Sequence, residues 1–424
     1  MENVANIKRI CVACNEDGFG PSVFAYYIVR GLLDSWLQTS EGKSSITILN
    51  RAAESFNRKL YEGHAVDIAP VASLIRLAKP KGEVHVQQTL NLLEPYASLR
   101  KSYAKAVREL LEGCDVAIDI GVPLFVRAAA QLGVPHRLTV VDHSWAATLR
   151  LITSEAWQDI YRENPKPGAP ERLLAQRIAS HVEEDEALAT EVFLFQTYIT
   201  PDEFVTHWKT LGFTPKILNG VLGTRVSQAD AYAKLDTTLA EYGGQTPVPR
   251  NRPLILLSPG GTPVWDDQLP SLLEQMLAAP EQGYVAVLSK DLETLLDRRA
   301  DLKKRIFASD RIRYFGPISG ATQQAILPAF RRVITRAGGG TVNDAIAAGV
   351  PMTFIEEPQA QVKLIERECI RLGLSGPAAT LEEFRADPKR CIDRLVGMTL
   401  PLPKVAPAPN AEQMVVQRVQ SLIR

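Results

Sequence analysis

Short apolar runs alternate with longer segments of helical periodicity along most of the chain. In the first half this pattern predicts strands at 9–14, 45–50, 115–120 and 138–141, and helices over 23–36, 99–111 and 123–132. In the second half it predicts five strands, at 254–257, 285–288, 311–315, 333–335 and 351–355, with helices between them and a final helix over 411–423. The segment 145–223 is more helical. Regular alternation of strands and helices indicates parallel sheets joined by right-handed crossovers.

The strongest break in this pattern lies at residues 244–253, which are rich in glycine and proline. Such a composition is typical of a linker. We therefore predict an α/β protein with two Rossmann-like, doubly wound domains, over 1–243 and 254–400, that face a central cleft. Residues 401–424 are expected to form a Pro-rich tether and a helix that crosses back to the N-terminal domain. In such sheets, ligands bind at the carboxyl ends of the strands.

Composition narrows the choice of partners. The chain of 424 residues carries 48 Lys plus Arg and 48 Asp plus Glu, and a net charge of zero argues against nucleic-acid binding through bulk charge. No apolar stretch approaches the ~18 residues of a membrane-spanning helix, and the N-terminus does not resemble a signal peptide. Five scattered cysteines favour reduced thiols in a cytoplasm. The acidic run 183–186 is expected to be a solvated helix face.

Two familiar motif classes are not supported. Cys11 and Cys14 form a Cys-x-x-Cys pair, but they lie in one predicted strand, where alternation directs their side chains to opposite faces. No second pair completes a zinc site, so buried thiols and no metal are expected. The sequence also lacks the glycine-rich loop of P-loop ATPases and kinases.

The most informative segment is 335–352, where a strand ends, three glycines follow and a helix begins near Thr341. The glycines Gly338, Gly339 and Gly340 let the backbone approach a ligand closely, and the helix N-terminus favours an anion such as a diphosphate. Arg336 adds a permanent positive charge, and Asp344 can accept hydrogen bonds from a ribose diol. The alternative is a plain strand-to-helix turn whose glycines serve packing.

This segment resembles the donor-site motif of nucleotide-sugar glycosyltransferases of the GT-B fold. It is similar to the UDP-glycosyltransferases of plants and macrolide producers, and most of all to the N-acetylglucosaminyltransferase that forms lipid II. The matching positions are Arg336, Gly338, Thr341, Asp344, Gly349, Val350, Pro351 and Met352. Arg336 stands where the plant enzymes have a diphosphate-binding His, and Asp344 replaces the Glu that holds the ribose.

The resemblance extends to three neighbouring segments. In the loop 356–361, Gln361 falls on a Gln that holds sugar hydroxyls, whereas Ala360 falls on the partner Asp, whose contact Gln359 or Glu357 would have to replace. Segment 257–262, with Gly261 and Thr262, resembles the loop that approaches the phosphates. Segment 314–318, with Phe315, resembles the segment whose backbone reads the nucleobase.

The activity that the resemblance implies is inverting, metal-independent transfer of a sugar from a nucleotide-diphosphate donor, UDP-linked by preference, to a hydroxyl. The nucleotide sugar is then a co-substrate, and no cofactor is expected. The acceptor is an unknown small molecule or lipid, and the sequence leaves peripheral membrane contact and a homodimer open. Two alternatives are a nucleotide-sugar hydrolase or epimerase on the same fold and a catalytically inactive nucleotide-sugar-binding subunit.

The general base is not where the resemblance places it. The family keeps a His in the loop after the first strand, and Phe19 stands at that position. Asp119 matches the carboxylate that usually pairs with this His. Asp17, His143 and Glu16 are the candidate replacements, and we favour Asp17 because it lies in the same loop as Phe19.

Overall fold

The structure, a computed structural model, describes residues 8–16, 20–36, 44–51, 61–78, 84–154, 167–195, 202–218, 226–242, 244–260, 265–279, 282–289, 299–316, 318, 320–357, 359–400 and 411–423. Within them the chain forms two separate parallel β-sheets with helices around each. The predicted α/β class with two parallel-sheet domains is confirmed.

The first sheet has seven strands in the order β3-β2-β1-β4-β5-β6-β7, and every pairing is parallel. Its strands are β1 (Lys8–Cys14), β2 (Ser44–Leu49), β3 (Asp67–Ala69), β4 (Val116–Ile120), β5 (His136–Val141), β6 (Glu191–Phe195) and β7 (Lys216–Leu218). Its helices are α1 (Gly20–Trp36), α2 (Val86–Leu93), α3 (Tyr96–Leu111), α4 (Pro123–Gln131), α5 (Trp145–Thr153), α6 (Ala169–Glu186) and α7 (Asp202–Thr210). Strands β1, β4 and β5 are neighbours at the centre, so the loops that follow them meet at one edge.

The second sheet has five parallel strands in the order β10-β9-β8-β11-β12. Its strands are β8 (Leu254–Ser258), β9 (Val285–Ser289), β10 (Ile312–Phe315), β11 (Arg332–Thr335) and β12 (Met352–Phe354). The accompanying helices are α8 (Gln228–Glu241), α9 (Leu269–Ala278), α10 (Ala300–Ala308), α11 (Gly320–Ile326), α12 (Gly339–Ala348), α13 (Ala360–Arg371), α14 (Leu381–Ala386) and α15 (Pro388–Gly397), and the chain ends with α16 (Ala411–Ile423). Here the loops after β8, β11 and β12 are brought together.

The predicted strands are present with ends shifted by one or two residues, but three further strands, β3, β6 and β7, were not predicted. Strands β3 and β7 have only three residues each, which is too short for a periodic pattern. Strand β6 lies in the segment that was interpreted as helical. It pairs with β5 in the first sheet. This pairing, which the local sequence pattern does not show, makes the segment a strand.

The central strands are buried on both faces, as parallel strands covered by helices must be. Cys11 packs in a core cluster with Leu49 and Val107, whereas Cys14 packs in a different cluster with Ile28. All five cysteines are free and buried. The prediction that the Cys-x-x-Cys pair provides two buried thiols on opposite faces of a strand is therefore confirmed.

The interpretation of residues 183–186 as a solvated helix face is wrong for half of the run. At the end of α6, Asp185 is 0% and Glu186 3% exposed. Asp185 forms ion pairs with Arg100 and Arg127, and Glu186 accepts hydrogen bonds from Ser144 Oγ and His207 Nε2. Burial of these carboxylates is stabilised by partners that come from distant parts of the sequence, and helical periodicity does not reveal them.

Two helices do not pack on the sheet whose strands precede them in the sequence. Leu235 and Leu239 of α8 belong to the core of the second sheet. Val415 and Val419 of α16 belong to the core of the first sheet, where α16 packs on α1. No helix among the described residues combines the length and apolar character needed to cross a membrane.

The two sheets are also linked by a small contact. Leu364 of α13 is fully buried against Ala147 and Phe204, which belong to α5 and α7. Beside it, Arg367 NH2 lies 2.9 Å from Glu203 Oε1. Helix α13, which starts at the carboxyl edge of the second sheet, thereby touches the first domain.

Candidate active site

The N-terminus of α12 opens at the carboxyl edge of the second sheet. The helix begins at Gly339, two residues earlier than predicted, and Gly338 is its N-cap residue. Gly340 is exposed, and a Cβ atom there would meet no atom within 4 Å. Thr341 is the third helical residue. Since the first N–H groups of a helix have no intrahelical acceptors and glycine provides no capping side chain, this turn can receive an anion.

Arg336 lies directly beside this turn and is fixed by a buried carboxylate. Its NH1 donates to both oxygens of Glu357, at 2.9 and 2.8 Å, and Glu357 is only 2% exposed. A Cβ atom at Gly260, whose φ is +72°, would lie 2.9 Å from Arg336 Nε, and one at Gly338 would lie 3.4 Å from it. The two glycines thus allow the backbone to lie close against the guanidinium, where a side chain would collide with Nε. Three loops, after β8, β11 and β12, build this arrangement.

Asp344 lies on α12, and its carboxylate already has hydrogen-bond partners. Gln324 Nε2 donates to Oδ1 at 2.8 Å, and Gln323 Nε2 donates to Oδ2 at 3.2 Å. Burial raises the pKa of the Asp344 carboxyl to about 7, and the hydrogen bond from Gln324 opposes that rise. A ribose diol at this position would have to share the carboxylate with two glutamines of α11.

Gln359 is the third polar residue that follows β12, after Glu356 and Glu357. It is the N-cap residue of α13 and is 7% exposed, and its Oε1 has no hydrogen-bond partner among the described residues. Its backbone N–H donates to the Glu357 carbonyl, 2.8 Å away. A buried carbonyl oxygen without a donor is costly, so a ligand hydroxyl that reached Oε1 would supply the hydrogen bond that this oxygen lacks.

The remaining donor-site candidates are placed only in part. Gln361 is the second residue of α13, and Phe315 ends β10 with its side chain buried in the core of the second sheet. Gly261 and Thr262 lie outside the described residues.

The carboxyl edge of the first sheet holds an Asp–His pair. Nδ1 of His143 lies 2.5 Å from Asp142 Oδ1, in the loop after β5. The imidazole ring packs edge-on against Trp145 and Phe204, with ring centroids 5.4 and 6.2 Å away. Trp145 Nε1 donates to the Gly121 carbonyl at 2.9 Å. The ring is therefore oriented by a carboxylate and two aromatic side chains, which is the arrangement that a general base requires.

Asp119 is near this edge, but its carboxylate already has two hydrogen-bond donors. The carboxyl accepts hydrogen bonds from Val122 N at 2.5 Å and from Thr139 Oγ1 at 3.1 Å, and Asp119 is 3% exposed. Burial raises the pKa of the Asp119 carboxyl to about 7, against the lowering effect of these hydrogen bonds. The carboxylate that contacts His143 is Asp142.

The other two base candidates come from the loop after β1. Asp17 lies outside the described residues, as does Phe19. Glu16 Oε1 accepts a hydrogen bond from Ser73 N at 3.0 Å. Throughout the described ranges, no three His, Cys, Asp or Glu side chains are grouped so that they could hold a metal ion.

Sequence reasoning missed two pairings that organise these sites. Asp142 directly precedes His143 after a predicted strand, so this pair was visible in the sequence. Glu357 was considered only as a sugar ligand, because the contact with Arg336 depends on the adjacency of β11 and β12.

Comparison with solved structures places this geometry in a known fold. No protein-family model matches the chain, and no curated protein matches it by sequence. The structure is similar to that of Phytolacca americana UGT2 complexed with UDP-2fluoro-glucose and pterostilbene, with a TM-score of 0.57 and 14% identity over 98% of this chain and 100% of the other. It is also similar to CalG4, the calicheamicin glycosyltransferase, with a TM-score of 0.54 and 14% identity over 98% of this chain and 94% of the other.

A third similar structure is a UDP-glucose:anthocyanidin 3-O-glucosyltransferase in complex with UDP, with a TM-score of 0.55 and 15% identity over 99% of this chain and 95% of the other. Identity at this level shows the fold. The chain has the two-domain GT-B fold of glycosyltransferases.

Proposed function

We propose that the protein is an inverting glycosyltransferase that moves a sugar from a nucleotide-diphosphate donor, preferably a UDP-sugar, to a hydroxyl acceptor. The observation that carries the proposal is the convergence of Arg336 and the N-terminus of α12 at the carboxyl edge of the second sheet. A guanidinium and a row of helix N–H groups are the donors that a leaving diphosphate needs. These groups can supply the positive charge without a metal ion.

Glu357 defines how Arg336 would act. Because the carboxylate holds NH1, the guanidinium is fixed before a ligand arrives. Gly260 and Gly338 let the backbone lie close to Nε, and 23% of the Arg336 side chain remains exposed. A phosphate oxygen that reached this exposed part would accept from Arg336 and from the first turn of α12 together. A donor that is preorganised in this way stabilises the charge that develops on the leaving group, because it does not have to be ordered during the reaction.

The sugar would lie toward Gln359, whose buried Oε1 can accept from a sugar hydroxyl. For the acceptor proton, His143 is a better supported base than any other described residue, because Asp142 and two aromatic rings orient it. Asp17 remains the competing candidate. His143 belongs to the first domain, which faces the donor site in a GT-B fold.

UDP binding measured by calorimetry tests the donor site. Arg336→Gln should weaken UDP binding by ~10–100-fold, since a hydrogen bond to a charged group contributes about 1.5–3 kcal/mol. Arg252→Gln is the matched control. The Arg252 side chain is 22% exposed, compared with 23% for Arg336, and it also pairs with a carboxylate. It precedes β8 and therefore lies at the other edge of the sheet. Equal UDP affinity in both variants and the wild type would remove Arg336 from the site.

Release of free UDP from UDP-sugars, with and without a panel of hydroxyl acceptors, tests the reaction. Release that depends on the acceptor supports transfer. Release without an acceptor would instead identify a hydrolase, and binding without release across the panel would identify a binding subunit.

A further inference from the structure

A basic groove lies between α3 and α4, and none of its residues belongs to the candidate active site. Its volume is about 850 Å³, within the range of small-molecule sites. The charged residues that line it are Arg100, Lys101, Lys105, Arg108, Glu109 and Arg127. Five of them are cations and one is a carboxylate, although the whole chain is neutral.

The α3 wall carries a row of exposed charges. Lys101, Lys105 and Arg108 occupy successive turns of one helix face, and all three are exposed. Positions four residues apart are about 6 Å apart along a helix axis. Within the part of the chain that the structure describes, no carboxylate forms an ion pair with these three side chains. A row of exposed like charges on one wall is a poor device for stability, because the charges repel each other.

The floor of the groove is built differently. Arg100 and Arg127 both pair with Asp185, which is 0% exposed, and Arg100 NH2 also lies 2.9 Å from Glu184 Oε2. These contacts fix the two guanidiniums, each of which has five N–H donors. Small side chains at Ala104 and Ala128 keep the floor open between the helices.

The charge balance of the groove favours an anion. After Glu109, Glu184 and Asp185 are set against the five cations, a net charge of +2 remains. Holding α3, α4 and α6 together explains Arg100 and Arg127. It does not explain the lysines and Arg108, which touch no acidic residue of α6 and face the groove.

We propose that the groove between α3 and α4 binds a phosphate-bearing anion, as a second ligand site separate from the nucleotide-sugar site. The exposed row on α3 provides the attraction, and the fixed guanidiniums of Arg100 and Arg127 provide the directed donors. The anion is either a free phosphorylated molecule or the headgroup of an anionic lipid, which offer the same phosphate chemistry.

Titration of the full-length protein with tripolyphosphate at low salt tests the site. Lys101→Glu combined with Lys105→Glu should weaken binding by ~10-fold or more, since two charge-assisted contacts become repulsive. Lys304→Glu combined with Arg305→Glu makes the same charge change on α10 and should leave the affinity within about 2-fold. Lys101→Gln with Lys105→Gln gives an intermediate loss. Unchanged thermal transitions show that the variants are folded.

Two arms distinguish the sources. Sedimentation with phosphatidylglycerol vesicles that is lost in the groove variant identifies a lipid headgroup, and tripolyphosphate binding without vesicle binding identifies a soluble ligand. Binding that survives in the groove variant but disappears in Arg336→Gln belongs to the proposed donor site. If no such component of binding is seen, the result counts against the donor site and not against the groove. Absence of all binding to either probe, or equal weakening by the α10 control, overturns the groove site.

Discussion

Two carboxylates at the carboxyl edges of the sheets, the buried Asp119 and the half-buried Asp344, are stabilised by hydrogen-bond donors. Asp119 accepts from a backbone N–H and a hydroxyl, and Asp344 accepts from two glutamines. Burial still raises the pKa of each carboxyl to about 7, because the donors do not fully replace water. Both groups are therefore partly protonated near neutral pH.

Asp119→Asn should change how stability depends on pH. A carboxyl whose pKa rises from 3.8 unfolded to about 7 folded binds more protons in the folded state between these values, so it lowers stability as pH rises from about 4 to 7. Asparagine can keep the bond from Val122. Urea unfolding should show the variant close to wild type at pH 4 and more stable at pH 8, by up to roughly 4 kcal/mol. Parallel curves for the two proteins across this range would contradict the raised pKa.

His143→Ala should lower turnover by ~10²–10⁴-fold, the usual contribution of a general base, while UDP affinity stays unchanged. Asp142→Asn should cause a smaller loss of the same kind, because it disturbs only the orientation of the ring. His136→Ala is the control, since it lies at the opposite end of the same strand. If Asp17→Asn abolishes turnover while His143→Ala retains it, the base lies in the loop after β1.

At the level of secondary-structure elements, the two ends of α12 use glycine for different reasons. Gly340 lies in the first turn in open space, whereas Gly349 ends the helix with a φ of +69°. Only the second glycine needs a conformation that side chains rarely adopt. The glycines of the first turn are therefore not required by the backbone there.

Gly340→Ala should stabilise the protein by about 0.5–1 kcal/mol, because alanine is the better helix residue and meets no neighbour. Gly349→Ala should destabilise it by about 1 kcal/mol, since alanine pays for the left-handed conformation. Thermal unfolding measures both changes. If Gly340→Ala is stable but binds UDP more weakly, a ligand approaches the helix at this residue, and lower stability in Gly340→Ala would contradict the open space.

Over the whole molecule, the chain returns to its first domain at the end. Helices α14 and α15 pack in the core of the second sheet, through Phe384 and Leu395, whereas α16 packs on α1. Arg418 and Glu191 add an ion pair between α16 and the first domain. The last helix thereby packs the C-terminal part of the chain against the first domain.

Val419→Ala should lower stability by about 1–3 kcal/mol, because Val419 is fully buried in the core of the first sheet. Gln417→Ala, on the exposed face of the same helix, should stay within about 0.5 kcal/mol of wild type. Chemical denaturation compares the three proteins. Equal midpoints for Val419→Ala and Gln417→Ala would mean that α16 does not contribute to this core.

Local signals in the sequence suffice to predict the class of fold and most of its strands. Apolar runs separated by helical periodicity, and the glycines before α12, are local signals, and they predicted two parallel sheets and a helix that begins after the glycines. The spacing of Arg336, Gly338 and Asp344 led to the proposal of a donor site, because those residues are close in the chain.

Which charged groups face each other depends instead on how the strands and helices pack. The pairing of Arg336 with Glu357, of Asp344 with Gln323 and Gln324, and of Asp185 with Arg100 joins residues 20 to 85 positions apart. A carboxylate is solvated or buried, and free or paired, according to what the sheet order brings beside it. Strand adjacency and helix packing set those distances, and the electrostatic energy of each group depends on them rather than on its place in the chain.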